Sequence, residues 1–351
     1  MKSASLANFI KLLFNISQVC LMAAEAERLG GPPRPFGLEE IEKAGRRLKS
    51  GKAPGPDGIP SEVIKDIAAE YPNILAEVAN YCLDEGVFPE EWKEARLVLL
   101  EKPKKNAADK PTYRPICLLN AIGKLLEILT EERINEHLRA EGELSERQYG
   151  FRKGRSTLDP MRRINEIVAE INQKSYRHRK VCLMITFDIK NAFNSAEWGL
   201  NRSEVDRWNM CGHITRLVDE YLSRRYLWGS ISGPLLWNIF YNRILNVTVP
   251  EGIELLGYAD DLAAGVIGRD REELLSNAQE TVNQVTRWMR GMRLEVAAGK
   301  SETVLLCRRR QLDSLTVNIN GHRDRQRREV LEGLFRHRHQ DDGACQKGCK
   351  L

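Results

Sequence analysis

Val181-Cys182-Leu183-Met184-Ile185-Thr186-Phe187 is an almost unbroken apolar run of strand length, and it ends at Asp188. Such a run reads as a strand buried on both faces, so a core must lie on either side of it. A buried strand that delivers a carboxylate at its C-terminal end is a recurrent site geometry. A second stretch, Gly257-Tyr258-Ala259-Asp260-Asp261-Leu262, sets two adjacent carboxylates between two more apolar runs, Ile253–Leu256 and Ala263–Ile267. Both runs have strand length and β-type composition, which predicts a hairpin with the aspartates at its bend. Neighbouring aspartates repel and are costly to desolvate. Asp is also a common turn residue, so this stretch by itself reads equally as a plain loop.

The 351-residue chain has enough apolar content (42%) for a core in two or three subdomains. The formal charge is only +5, but the basic residues are clustered. Clusters lie between Arg96 and Arg114, between Arg147 and Arg163, between Lys174 and Lys180, and again from Arg308 to Arg328. Such clusters suit a polyphosphate backbone, and a solvated face is the plainer alternative. Six of the eight cysteines sit within or beside apolar or helical stretches, the pattern of buried thiols in a reducing compartment. No apolar run of about 18 residues occurs, which argues against a membrane span. Phe9–Ala24 is interrupted by Lys11, Asn15 and Gln18 and reads as an amphipathic helix, followed by the breaker-rich linker Gly30–Pro35.

Several segments frame the two aspartate stretches. Lys52–Pro60 holds three prolines and two glycines in a constrained loop, and Ser61 is placed to cap the helix after it. Arg96–Lys102 reads as a strand ending in a basic turn, and a helix is predicted from Ile122 to about Leu138. Arg147–Thr157 is a basic, glycine-containing loop with two aromatics. Glycine allows close backbone approach, arginine pairs with phosphate, and aromatic rings can stack on bases. Helices are predicted from Leu158 to about Gln173, from Leu235 to about Leu245 and over 270–292, and a strand over Lys300–Cys307.

Six blocks in one order, Lys52–Asp57, Tyr113–Asn120, Gln148–Thr157, Phe187–Phe193, Gly233–Tyr241 and Tyr258–Asp261, resemble the reverse transcriptase of non-LTR (LINE-like) retrotransposons, in particular arthropod elements of the Jockey and R1 kind. A lone Tyr-Ala-Asp-Asp is weakly specific, whereas the ordered set is not. The resemblance spans residues 38–310. It implies an α+β right-hand polymerase fold, the palm built of an antiparallel sheet with packed helices. The expected segments are an N-terminal helix and linker (1–35), fingers (36–180), palm (181–310) and a basic tail (311–351).

The same resemblance implies the chemistry. Asp188, Asp260 and Asp261 are expected as catalytic metal ligands for two Mg²⁺ ions (Mn²⁺ being the alternative), helped by the Ile189 carbonyl. Hard divalent cations prefer carboxylate oxygens, and binding them relieves the repulsion within the pair. Phosphodiester formation needs the primer 3′-hydroxyl activated and the leaving pyrophosphate stabilised. Phe193 would exclude a ribose 2′-hydroxyl, with a core aromatic as the plainer alternative. Lys102 and Arg114 would hold the incoming dNTP, and Lys300 would act as an acid near the pyrophosphate. Tyr258 would contact the DNA primer terminus, and Gly150, Arg152, Lys153 and Arg155 the RNA template. Localisation is expected to be intracellular, in the nucleus or cytoplasm.

Three departures from the family pattern stand out. Trp228 takes the place of the glutamine expected before Gly233. The interval between Asp188 and Asp260 is shorter than usual, by enough to hold a strand. After His322 the chain departs from the family, so the thumb is expected to be missing or degraded. A catalytically inactive remnant that binds RNA or DNA is therefore the alternative function. A metal-dependent nuclease is disfavoured, because no histidine or lysine base lies near Asp260 and Asp261 in sequence. His337, His339, Cys345 and Cys349 in the tail fit no common zinc spacing.

Overall fold

The computed structural model of the protein describes residues 32–101, 113–142, 144–173, 180–223, 231–306, 315–319 and 322–325. The expected N-terminal helix, Trp228 and the histidines and cysteines of the tail lie outside these residues. In chain order the elements are α1 (Leu38–Arg47), α2 (Ser61–Glu70), α3 (Pro72–Glu85), α4 (Glu90–Lys93), β1 (Ala95–Glu101), β2 (Tyr113–Leu119) and α5 (Ala121–Glu141). Then come α6 (Leu158–Gln173), β3 (Val181–Phe187), α7 (Ala192–Ser195), α8 (Trp198–Asp206), α9 (Gly212–Leu222) and α10 (Gly233–Tyr241). A 3₁₀ turn (Asn242–Asn246) precedes β4 (Glu254–Tyr258), β5 (Asp261–Gly268) and α11 (Arg271–Gly291). Another 3₁₀ turn (Ala298–Lys300) leads to β6 (Glu302–Leu305), β7 (Thr316–Ile319) and β8 (His322–Arg325). The result is a mixture of helices and antiparallel sheet.

The chain weaves between two compact units, one built from residues up to 142 together with 202–233, the other from 143–201 and 234 onward. The expected fingers and palm segments thus each contribute to both units, because α6 packs on β3 and β4 whereas α9 packs on α3 and α5.

In the first unit α1, α2, α3 and α5 bury one face each, with Ile41, Ile64, Leu75 and Leu125 all at 1% exposure or less. Full burial of each such side chain contributes about 1.5–3 kcal/mol. The Lys52–Pro60 loop is fixed by Asn120, whose Oδ1 accepts from the Asp57 N–H (3.2 Å) while its Nδ2 donates to the Glu91 carbonyl (2.9 Å). Ser61 does not cap α2 as expected: Pro60 occupies the N-cap position in an extended conformation, and Ser61 is the first helical residue. β1 and β2 pair antiparallel over their full length, and both faces of β1 are largely exposed, including Leu97, Leu99 and Leu100.

Asp219 on α9 receives a 2.7 Å ion pair from Arg202 through one oxygen, while the other oxygen is buried without a hydrogen-bond partner among the described residues. Burial pushes this carboxyl up to about 6, with Asp206 and Glu220 adding to the shift and Arg202 opposing it. The folded-state pKa lies above the unfolded value, so ionised Asp219 lowers stability above pH 6, and the penalty fades as pH falls from 6 toward 4. Asp219→Asn is therefore expected to raise stability at pH 7.5, by up to about 3 kcal/mol. The gain should shrink toward zero near pH 4, which thermal denaturation across pH measures.

In the second unit β3 lies inside a four-stranded antiparallel sheet of order β4-β5-β3-β6. Every residue of β3 except Thr186 is at most 1% exposed, as the apolar run predicts. Alternation divides its side chains between two layers. Met184 joins Ile164, Tyr149, Leu256 and Ala263, and Cys182 joins Ile167 and Ile171, under α6. α11 packs against β5 and β3. It comes so close to β5 that a Cβ on Gly268 would meet Leu274 N at 2.5 Å. Within the stretch expected as a basic tail from residue 311, β7 and β8 form a two-stranded ladder, with Val317 and Ile319 buried and β7 packed on α11. Four-residue strands are too short to show a period amid so many arginines.

Candidate active site

The ladder between β3 and β5 runs from Val181↔Gly268 to Phe187↔Leu262. Asp188 directly follows Phe187, and Asp261 directly precedes Leu262, so the register carries both to the same end of the sheet. Residues facing each other across an antiparallel pair have Cβ atoms roughly 4.5–5.5 Å apart. β4 and β5 are joined by a turn at Ala259 and Asp260, with Tyr258 opposite Asp261. The bend therefore falls one residue ahead of the aspartate pair, and Asp261 already belongs to β5. All three carboxylate residues are half-buried.

Asp188 is tied on both sides of its backbone. Its N–H donates to Ser301 Oγ (3.3 Å) and its carbonyl accepts from the Ala297 N–H (2.7 Å). Ile189 is 4% exposed and forms an antiparallel bridge with Val296. The Lys190 N–H donates to the Glu295 carbonyl (2.9 Å), and its ammonium pairs with the Glu295 carboxylate. Asn191 then takes a left-handed conformation (φ 49°) and starts α7.

The aspartate turn is clamped from two directions. Ala259 adopts φ 56°, a left-handed geometry that side-chain-bearing residues rarely take. Its carbonyl accepts from Trp237 Nε1 on α10 at 3.0 Å, in a fully buried hydrogen bond. On the other side lies the 147–150 loop. Gly257 N–H donates to the Arg147 carbonyl and Tyr149 N–H to the Gly257 carbonyl, both at 2.8 Å. Gly150 then passes against the turn so tightly that a Cβ there would lie 2.0 Å from Ala259 N. Asn238 Nδ2 holds the Gly150 carbonyl at 2.9 Å.

Beneath the turn sits Tyr241, 0% exposed, its ring stacked on Trp237 at 5.1 Å. Burial, together with the negative charges of Asp260 and Asp261, pushes its hydroxyl well above the ordinary phenol value, so it stays protonated at neutral pH. The hydroxyl has no hydrogen-bond partner among the described residues, and neither do the Gln148 side-chain amide atoms, 0% exposed, against Gly257. Buried polar atoms of this kind are commonly satisfied by ordered water.

Three half-buried aspartates carried by the register to one end of a sheet are of the type that a hard divalent cation takes as oxygen ligands, and such an ion would offset their mutual repulsion. Among the described residues no three His, Cys, Asp or Glu side chains stand in metal-holding geometry.

The other residues singled out by sequence fall in different places. Lys300 is exposed, in the 3₁₀ turn beside a cavity of about 470 Å³ that Lys190, Glu295 and the 296–300 segment line. Phe193 is half-buried, its ring 5.9 Å from Phe151 and 5.0 Å from Trp237. Tyr258 is partly buried against the Tyr149–Met184–Leu256 cluster. Gly150 serves the turn by close approach. Arg152 Nη1 donates to the carbonyls of Leu144, Ser145 and Gln148, which gives its guanidinium a role inside its own loop. Lys153 and Arg155 are exposed, the latter 5.6 Å over the Tyr149 ring. Arg114 pairs with Leu100 in the β1–β2 ladder, with its side chain outside the described residues, as is the whole of Lys102. Trp237, Tyr241 and Gln148 were not among the expected site residues. The first two lie in the Gly233–Tyr241 block and read there as an apolar helix face.

The family described as reverse transcriptase (RNA-dependent DNA polymerase) matches residues 102–330. A Pol polyprotein from the type-1 retrotransposable element R1 of Bradysia coprophila is 28% identical over 305 residues, which is 81% of this chain and 30% of that protein. A putative 115 kDa protein in the type-1 retrotransposable element R1DM of Drosophila melanogaster is 32% identical over 292 residues, 78% of this chain and 27% of that protein. The RNA-directed DNA polymerase from the mobile element jockey of Drosophila funebris is 25% identical over 337 residues, 89% of this chain and 37% of that protein. The chain spans about a third of the length of the curated relatives it matches. With Asp188 and the Tyr258–Asp261 turn brought to one end of a buried antiparallel sheet, and with these relatives from non-LTR retrotransposons, the chain belongs to the reverse transcriptase family.

Proposed function

We propose that this chain is the RNA-directed DNA polymerase domain of a non-LTR retrotransposon, adding dNTPs to a DNA primer on an RNA template. The observation that carries the reading is the β3–β5 register, which sets Asp188 beside the Asp260–Asp261 turn. In this reading the four-stranded sheet belongs to the palm of a right-hand polymerase, and the β1–β2 hairpin to the fingers.

Asp188, Asp260 and Asp261 would hold Mg²⁺, with the Ile189 carbonyl assisting. When bound, the divalent metal supplies Lewis-acid activation of the primer 3′-hydroxyl and charge neutralisation on the pyrophosphate. The chain's own residues do the rest. The Ser301 and Ala297 bonds hold Asp188 on a fixed backbone. Trp237 and Gly150 hold the turn, and the protonated Tyr241 adds no third negative charge below it. The primer 3′-oxygen bonds to the α-phosphorus as the bond to the β-phosphate oxygen breaks. The hydroxyl proton passes to water, and the Lys300 ammonium gives a proton to the departing pyrophosphate. Phe193 walls the sugar against a 2′-hydroxyl, Tyr258 meets the primer terminus, and Lys102 and Arg114 contact the triphosphate. Lys153 and Arg155 pair with template phosphates, and Gly150 and Arg152 shape the loop that carries them.

The test is dTTP incorporation on poly(rA)/oligo(dT) with Mg²⁺, measured beside RNA affinity over a salt series. Incorporation is the expected result. Salt-sensitive RNA binding with no incorporation would contradict the polymerase reading and leave a nucleic-acid-binding remnant.

A further inference from the structure

Phe151 combines two unusual features. It is a bulky residue in the left-handed region (φ 55°), and its side chain is 54% exposed. A non-glycine residue held in such a conformation is strained, and the surrounding structure must over-determine it. The constraint is visible one residue earlier. Gly150 is pinned between the Ala259 backbone and the Asn238 side chain, so the chain has to turn sharply after it. The turn delivers the Phe151 ring edge-on to Phe193, with centroids 5.9 Å apart and planes at 62°.

Phe193 therefore touches two aromatic rings among the described residues, Phe151 and Trp237. Trp237 is 0% exposed and anchored through its indole N–H to Ala259, so that wall does not yield. Phe151 is the exposed wall. A ring that discriminates by steric exclusion works only while it cannot swing away from the group it excludes. Resistance to that swing is set on the side that can give way.

We infer that Phe151 is a specificity-determining residue: its ring braces Phe193, which Trp237 also contacts, and discrimination against ribonucleotides depends on the Phe151–Phe193 pair. The inference rests on the reading of Phe193 as the sugar wall. An edge-to-face aromatic pair is attractive beyond simple burial, enough to change a selectivity ratio by several-fold.

The experiment compares kcat/KM for dUTP and UTP, which differ only at the 2′ position, on poly(rA)/oligo(dT). The full chain is used as wild type, Phe151→Gly, Phe151→Tyr and Phe193→Val. Glycine removes the ring yet suits φ 55°, so this variant keeps its fold. Its dUTP/UTP ratio is expected to fall several-fold, up to about tenfold. Phe151→Tyr, which restores a ring, should return the ratio to the wild-type value. Phe193→Val should lower the ratio further, by up to roughly 100-fold. A wild-type ratio in Phe151→Gly, or an equal loss for dUTP and UTP, overturns the inference; the equal loss would mark Phe151 as a template contact. An unchanged ratio in Phe193→Val, with dUTP still incorporated, overturns the sugar-wall reading on which it rests. Absence of wild-type dUTP incorporation overturns the polymerase reading and this inference with it.

Discussion

Asp260→Ala is expected to reduce Mg²⁺-dependent incorporation by roughly 10³-fold or more, because a metal ligand at the reacting phosphate contributes several kcal/mol of charge stabilisation. RNA affinity should stay within about twofold of wild type, since binding is governed by phosphate pairing with basic side chains elsewhere. The separation of the two effects is what makes the result informative. Asp260 is half-buried at a turn whose backbone is held by Trp237, Gly150 and the β4–β5 ladder, none of which needs its carboxylate. Its removal also takes away one of two adjacent, mutually repelling carboxylates, so the fold is expected to survive the substitution. Single-turnover incorporation and fluorescence anisotropy on the same preparation measure the two quantities. Activity within tenfold of wild type would remove Asp260 from the site.

Gly150→Ala is the second large effect. The added Cβ would lie 2.0 Å from Ala259 N, 2.7 Å from its Cα and 2.9 Å from the Tyr258 carbonyl carbon. All three are backbone atoms, so no flexible side chain can give way, and the turn itself has to move. Overpacking of this kind costs about 1–3 kcal/mol or somewhat more. A displacement of about 1 Å at reacting groups costs on the order of 10²-fold in rate. The rate should therefore fall further than the loss of stability explains, seen as a low kcat in protein that remains folded at the assay temperature. Gly154→Ala supplies the contrast. Gly154 has φ 79° with nothing within 4 Å of its would-be Cβ, so it should lose stability through backbone strain alone and keep its rate.

These two residues also mark how far the sequence could be read. Asp260 was legible because its context is local: two β-type runs flank it, and a second buried run brings Asp188. The pairing of β3 with the aspartate hairpin followed from the order of six blocks, and the ladder realises it. The part played by Gly150 was not legible in the same way. Its basic loop suggested phosphate contact, and composition cannot show that the backbone at 150 touches the backbone at 259. The same holds for Arg152, whose Nη1 donates to carbonyls of its own loop. Trp237 and Tyr241 looked like ordinary apolar helix residues, because the groups that give them meaning, the Ala259 carbonyl and the two aspartates, arrive from a distant strand. The Phe151 backbone carries no sequence signal at all, since φ there is imposed by its neighbours. Ser61 and the β7–β8 ladder went the other way: a local rule was applied where a proline, or a pair of very short strands, decided the outcome.

The central claim is that Asp188, Asp260 and Asp261 bind one set of divalent cations. Its most direct measurement is cleavage of the chain by bound Fe²⁺ with ascorbate and peroxide in place of Mg²⁺, mapped by mass spectrometry. Radicals generated at a bound metal cut the backbone nearest to it. Cuts confined to the neighbourhoods of residues 187–190 and 258–262, suppressed by excess Mg²⁺ and absent in Asp188→Ala, are the predicted result. Cuts elsewhere that Mg²⁺ suppresses, or an unchanged pattern in Asp188→Ala, would contradict it.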